Sequence, residues 1–179
     1  MNSMSRGYND SCGKEKRREE EKHCPTIIKC GCPTTSSVTT TTTALTATAT
    51  IASVTVNNEC LCDPITKLEF ATIISPVGGA FPGTITVRVF KQCRYQFTPV
   101  PIGPAWTVTL TTPGLTIPLS FFICDSDSCD NDCCTYTVEA TATSAAATDA
   151  GTITFNNSTV GAISTCKSNR CNECKKDHY

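Results

Sequence analysis

The sequence lacks most features by which enzymes, membrane proteins and nucleic-acid-binding proteins are recognised. No stretch of 18 or more apolar residues is present, so we expect no membrane span. The formal net charge of −1 gives no electrostatic reason to expect nucleic acid or an anionic membrane as a partner. Only two histidines occur, His23 and His178, both in charged ends of the chain. Because catalytic motifs and phosphate-binding glycine loops are absent too, we expect no enzyme activity, cofactor or metal.

A secretion signal is also missing from the N-terminus. Residues 1–24 are polar and charged, without an apolar segment followed by a small-residue cleavage site. The chain nevertheless has 14 cysteines, a density typical of oxidising compartments or metal sites. A cysteine-rich protein made in a reducing cytoplasm can reach the exterior when its mother cell lyses, as spore coats and spore appendages do. We therefore predict a location on the surface of a bacterial spore.

Charged residues are concentrated at the two ends of the chain. Residues 13–23 read GKEKRREEEKH and residues 166–179 read CKSNRCNECKKDHY, whereas the middle is rich in Thr, Val, Ile and Ala. We predict a charged tail and cysteine-bearing connector over residues 1–43, a folded body over residues 44–165, and a cysteine-rich charged tail over residues 166–179. This length suits a single domain.

The body has the pattern of β-strands. From Ala44 it reads ALTATATIASVTV, in which apolar residues alternate with threonine, as in a half-buried strand. Thr and Val are β-branched, which favours a pleated strand over a helix. Proline, glycine and asparagine clusters at residues 99–104, 113–114 and 156–158 indicate turns. About eight strands at roughly ten-residue spacing predict an all-β fold, an antiparallel β-sandwich or jelly roll with an extended N-terminal arm.

The arm before the first predicted strand has two parts. Residues 34–43, TTSSVTTTTT, are uncharged and β-prone. They are either a flexible spacer or an arm that becomes ordered by adding to the sheet edge of a neighbouring subunit. Upstream, Ile27 and Ile28 form a short apolar patch beside Cys30-Gly31-Cys32. We predict that these two isoleucines anchor the arm.

The cysteines of the arm and body are candidates for disulfides or cross-links. Residues i and i+2 of an extended segment face the same side, so Cys30 and Cys32 are predicted to present both thiols to one face. Adjacent Cys133 and Cys134 face opposite sides of a strand, so one can close an internal bridge while the other faces outward. The connectivity stays open, because the number of possible pairings rises steeply with the number of cysteines. The candidates are Cys24, Cys30, Cys32, Cys60, Cys62, Cys93, Cys124, Cys129, Cys133 and Cys134.

Zinc is the chemical alternative for these thiolates. A tetrahedral site has two possible ligand sets in the sequence, but neither shows the paired Cys-x2-Cys spacing that is typical of structural zinc. A zinc-binding coat or storage module is therefore the second hypothesis for function. The two sets are Cys166, Cys171, Cys174 and His178, and Cys30, Cys32, Cys60 and Cys62.

Several motifs resemble a known family. Residues 27–31 (IIKCG), 60–64 (CLCDP), 67–70 (KLEF), 89–93 (VFKQC) and 121–138 resemble a clostridial family of cysteine-rich spore proteins of uncharacterised function. The resemblance covers residues 26–165. The general plan is also similar to that of the endospore appendage (Ena-type) fibre subunits of bacilli. This similarity implies a connector that reaches neighbouring subunits and is fixed there by disulfides.

Together these features predict a non-enzymatic structural protein. We expect it to assemble with copies of itself, head to tail, into a disulfide-cross-linked fibre or layer on the spore surface, with other spore-surface proteins as further partners. A head-to-tail contact joins two different surfaces, so it propagates as a filament unless rotation closes it into a ring.

Overall fold

The computed structural model describes residues 25–59, 61, 63–78, 81–111, 114–126 and 133–167, and these form nine strands and one short 3-10 helix. The prediction of an all-β sandwich is confirmed. No helix of the described residues is long and apolar enough to cross a membrane. The strands are β1 (Ile27–Cys30), β2 (Thr34–Thr39), β3 (Thr46–Asn57), β4 (Pro64–Val77), β5 (Gly83–Cys93), β6 (Val100–Leu110), β7 (Ile117–Asp125), β8 (Cys133–Ser144) and β9 (Thr152–Cys166).

The strands form two antiparallel sheets. The first sheet has the order β1-β9-β4-β7, and β2 pairs with β9 beside β1. The second sheet has the order β3-β8-β5-β6. Strands adjacent in sequence often lie in different sheets, so most contacts join segments that are far apart along the chain.

The core lies between the two sheets and consists of the inward side chains of each strand. Along β8, buried residues alternate with half-buried ones, as the period of two requires. Tyr136 and Phe155 are the largest fully buried side chains. Outward threonines pair across strands instead: the hydroxyls of Thr48 and Thr141 are 2.8 Å apart. The alternation of apolar residues with threonine thus separates an apolar inner face from a hydroxyl-bearing outer face.

Two segments predicted as turns are parts of strands. Residues 99–104 contain three prolines, yet β6 begins at Val100. β6 lies at the edge of its sheet, where no described strand pairs with its outer side. Pro101 and Pro104 lack a backbone N–H, and an edge strand tolerates this loss because it has a hydrogen-bond ladder on one side only.

Residues 156–158 were also predicted as a turn, but β9 runs through them without a break. Asn157 has a φ angle of 53°, and the register with β4 shifts between Ala71 and Ile73. The asparagines therefore form a β-bulge within β9. Asparagine adopts a left-handed backbone in a bulge as it does in a hairpin turn, so the sequence pattern is the same for both.

The N-terminal arm folds onto its own sandwich. β1 and β2 both pair with β9, from Ile27 opposite Ser164 to Thr39 opposite Thr152. Val38 is buried in the core, and the Thr34 hydroxyl donates a hydrogen bond to the Ile51 carbonyl at 2.6 Å. Residues 34–39 are thus an ordered strand of the chain's own sandwich and not a flexible spacer, whereas addition of this arm to a neighbouring subunit stays a prediction. These residues close the open side of the sandwich between β9 and β3.

The inner face of β9 should carry much of the stability. We expect Phe155→Ala to lower the free energy of unfolding by about 3–5 kcal/mol, because it leaves a cavity at a fully buried site. Phe97→Ala is the matched control, since Phe97 is 99% exposed. Urea denaturation of the oxidised protein measures both, and equal effects would contradict the assignment of the core.

Candidate cross-linking surface

The outer face of the first sheet carries two rows of residues that run across four of its five strands, β1, β9, β4 and β7. Residues directly opposite one another in antiparallel strands point to the same side of the sheet, so the register defines each row. The first row is Ile28, Ile163, Lys67 and Cys124. The second row is Cys30, Gly161, Glu69 and Phe122.

Each edge of this sheet presents an exposed cysteine on that outer face. Cys30 lies in β1 at one edge, and Cys124 lies in β7 at the other. Neighbouring strands are about 4.8 Å apart, so three strand intervals separate the two residues by roughly 14 Å. A disulfide needs Cα atoms within about 4.4–6.8 Å. Cys30 and Cys124 of one chain therefore cannot bridge each other.

Between the two cysteines the surface is apolar around one ion pair. Lys67 Nζ lies 2.6 Å from Glu69 Oε1 and 5.2 Å from the centre of the Phe122 ring. The hydrogen bond with Glu69, and then the charge of Glu69, raise the pKa of Lys67 above 10.5, so this side chain stays charged at neutral pH. Phe122 is 65% exposed and Ile28 is 66% exposed.

The two isoleucines predicted as the arm anchor have different environments. Ile27 is half-buried and packs against the core, whereas Ile28 lies on the outer face beside Ile163. Ile27 thus holds β1 onto its own sandwich. Ile28 extends the exposed apolar surface next to Cys30.

Gly31 separates the two cysteines of the arm. A Cβ at this position would lie 2.7 Å from the Ser53 carbonyl oxygen and 3.0 Å from that of Val160, so only glycine fits. The Gly31 amide donates a hydrogen bond to Val160 at 2.8 Å. β1 ends at Cys30, so the exposed Cys32 lies beyond the strand. Residues i and i+2 face the same side only within an extended strand, so this rule does not apply to Cys30 and Cys32.

Cys93 and Cys134 form a disulfide within the chain. They are directly opposite each other in β5 and β8, and both are buried. The prediction that one residue of the Cys133–Cys134 pair closes an internal bridge is therefore confirmed for Cys134. Cys133 points to the other side of β8 and is a half-buried thiol. Since Cys93 and Cys134 are joined to each other, neither sulfur is available for a bond to a second subunit.

The remaining cysteines divide into one that the structure describes and several that it does not. Cys166 at the end of β9 is buried and disulfide-bonded. Predictions for Cys24, Cys60, Cys62 and Cys129 concern positions outside the described residues, and they stay predictions. Within the described part of the chain, no group of three or more His, Cys, Asp or Glu side chains is arranged to hold a metal ion.

Comparison with known proteins identifies the family. Residues 24–165 match the family described as Domain of unknown function (DUF4489). The chain belongs to this family. The DUF4489 match covers β1 to β8, β9 as far as Thr165, and both edge cysteines. No curated protein matches the chain.

Two solved structures resemble the DUF4489 chain at low identity. One is the structure of the infectious bursal disease virus Gx strain, with 10% identity and a TM-score of 0.45, covering 83% of this chain and 33% of that one. The other is the crystal structure of the T13 viral particle of IBDV, with 10% identity and a TM-score of 0.23, covering 78% and 38%. The chain spans about a third of the length of the solved chains it matches. The clostridial and endospore-appendage resemblances are not confirmed by these comparisons and stay hypotheses.

The placement of the sulfurs predicts which cysteines react in the folded protein. We expect a maleimide to label Cys30, Cys32 and Cys124 in the folded monomer before air oxidation, because their thiols are exposed. Cys93 and Cys134 should be labelled only after reduction and unfolding. Peptide mapping by mass spectrometry gives the labelled positions, and native labelling of Cys93 would contradict the internal bridge.

Proposed function

We propose that the protein is a non-enzymatic structural subunit that polymerises with copies of itself into a disulfide-cross-linked fibre, or layer, on a bacterial spore. One observation carries this proposal. Cys30 and Cys124 are exposed thiols on the same face of one sheet, at its two opposite edges.

The two edges are complementary in direction. β1 is antiparallel to β9, β9 to β4, and β4 to β7, so β1 and β7 run in opposite directions. When β7 of one subunit lies beside β1 of another, the two strands pair antiparallel and the first sheet continues from one subunit to the next. Edge strands favour such pairing because their outer backbone groups lack a strand partner.

This arrangement brings the two thiols into bonding range. Directly opposite residues of an antiparallel pair have Cα atoms about 4.5–5.5 Å apart, which lies within the range that a disulfide requires. With Cys124 of one subunit opposite Cys30 of the next, two thiols lose two electrons and two protons to an external oxidant such as dioxygen. Each contact then carries one covalent bond.

The contact also covers apolar surface. Phe122 neighbours Cys124 in β7, and Ile28 neighbours Cys30 in β1, and both are about two-thirds exposed in the isolated chain. With Cys124 opposite Cys30, Phe122 lies opposite Cys32 and Ile28 lies opposite Ser126, so edge pairing covers each of these two side chains in part. A disulfide adds about 2–4 kcal/mol of stability. The joined surfaces are different, so the contact repeats as a filament unless it closes into a ring.

The other cysteines and the location complete the proposal. Cys32 is exposed beside the same edge and is suited to a second cross-link, for which Cys24, Cys60, Cys62 and Cys129 remain candidate partners. The spore surface is proposed because a chain with 14 cysteines suits an oxidising exterior and because its plan is similar to that of endospore appendage subunits.

Complementary variants test the proposed contact. Wild-type protein oxidised in air should form polymers visible by negative-stain microscopy and a ladder of covalent oligomers on a non-reducing denaturing gel. Cys30→Ser and Cys124→Ser should each abolish the bond between these positions, because each leaves only one half of the contact. In an equal mixture of the two variants, one Cys30→Ser subunit can form this bond with one Cys124→Ser subunit. The mixture should therefore give covalent heterodimers, but no trimers or larger oligomers joined through this bond.

Peptide mapping distinguishes the outcomes. A peptide that joins residue 30 to residue 124 between differently labelled subunits supports the contact. Absence of any peptide joining residue 30 to residue 124 from air-oxidised wild-type polymers contradicts it. Stoichiometric zinc with unoxidised thiols in protein purified without chelator would instead favour a metal-binding coat or storage module.

A further inference from the structure

A buried ion pair joins the two sheets at one end of the sandwich. Lys91 lies in β5 of the second sheet, and Asp125 is the last residue of β7 in the first sheet. Lys91 Nζ is 2.7 Å from Asp125 Oδ2, and the two side chains are only 6% and 5% exposed. Charged side chains are seldom buried to this extent, because removing them from water is costly even when they are paired.

A third polar group contacts the same oxygen. Tyr136 in β8 is fully buried, and its hydroxyl donates a hydrogen bond to Asp125 Oδ2 at 2.8 Å. Lys91 and Tyr136 are directly opposite each other in the β5–β8 register. The next pair that faces the core is Cys93 and Cys134, which form the disulfide. The amine, the phenol and the carboxyl group therefore meet at one atom within the core.

We propose that Lys91 and Asp125 condense into an amide bond between Nζ and Cγ. One proton passes from the Lys91 ammonium to Asp125 Oδ2, which leaves a neutral amine and a neutral acid. The amine attacks Cγ, a second proton passes from Nζ to Oδ2, and this oxygen departs as water. One ammonium and one carboxylate thus give one amide and one water molecule, so the step needs no oxidant, reductant or external co-reactant.

The surroundings of the pair promote each part of this step. Fixed contact between the reacting groups removes the entropic cost of bringing them together. Lys91 Nζ and Asp125 Oδ2 are 2.7 Å apart, so the first proton can pass directly between the reacting groups without an intervening water molecule. The Tyr136 hydroxyl donates a hydrogen bond to Oδ2 at 2.8 Å and is placed to stabilise this oxygen as it departs. Exclusion of water from the core protects the product from hydrolysis.

The product would differ in kind from a disulfide. It would link β5 to β7 across the two sheets, beside a disulfide that links β5 to β8 within one sheet. An amide is not cleaved by thiols, so the sandwich would stay closed under conditions that reduce its disulfides. This inference does not depend on the proposed assembly.

Intact mass spectrometry of the full-length protein, purified from the folded state and then reduced, alkylated and denatured, tests the bond. We expect a mass lower than that of the sequence by one water molecule, and a branched peptide joining residues 91 and 125 after proteolysis. Lys91→Arg and Asp125→Ala should each restore the full mass. Tyr136→Phe should lower the fraction of cross-linked chain at early times, since the ring remains and only the hydroxyl is removed.

An exposed ion pair provides the control. Lys67 Nζ and Glu69 Oε1 are 2.6 Å apart but open to solvent, so Lys67→Arg should leave the mass deficit unchanged. Full mass in the folded wild-type protein, with Lys91 acetylated after denaturation, would overturn the proposal without relying on any variant. A deficit that persists in Lys91→Arg would also overturn it, because the lost water would then come from another residue.

Discussion

The register of β9 is the constraint on which the exposed surface of this protein depends. β9 pairs with both arm strands on one side and with β4 on the other. Phe155 and Val160 are buried on its inner face, and a slip by one residue would turn every side chain of β9 to the opposite face. Because β1 takes its register from β9, the same constraint directs Cys30 outward. Cross-linking chemistry at the edge is therefore set by packing in the core.

The sulfur atoms have two separate roles that follow from the side of the sheet on which they lie. Cys93 and Cys134 face inward from paired strands and are joined to each other. Cys30 and Cys124 face outward at opposite edges, where distance keeps them from joining within one chain. Internal bridging thus leaves the edge thiols unused. The described chain thus has an internal disulfide in its core and exposed thiols at the two edges of its first sheet.

Docking of the arm depends on the last strand of the chain. Ile27 pairs with Ser164, so the arm reaches its position only after β9 has been synthesised and folded. Contacts of such long sequence separation form slowly, because much chain entropy is lost before they are made. Until then the edge of β9 is open to pairing with another chain. The arm occupies this edge, so the two edges of the first sheet are formed by β1 with β2 and by β7.

The strand pattern, and the set of residues able to face outward, follow from the order of residues along the chain. Alternation of apolar residues with threonine predicted the strands, and the adjacency of Cys133 and Cys134 predicted that only one of them would bridge internally. The sequence did not predict that Pro101 and Pro104 belong to an edge strand, or that the asparagines of β9 form a bulge. These outcomes depend on which strand lies beside each segment.

Two features depend on the tertiary structure: the position of Cys30 and Cys124 at opposite edges of one sheet, and the burial of Asp125 against Lys91. The opposite edges that carry Cys30 and Cys124 exist only once the strand order is set, and strand order is not encoded in any local pattern. Asp125 is followed by the acidic sequence of residues 126–132, SDSCDND, and no local pattern indicates that its side chain is buried against Lys91. These residues are brought together by pairing between distant segments, because each strand gains more from burying its inner face than from its local preferences.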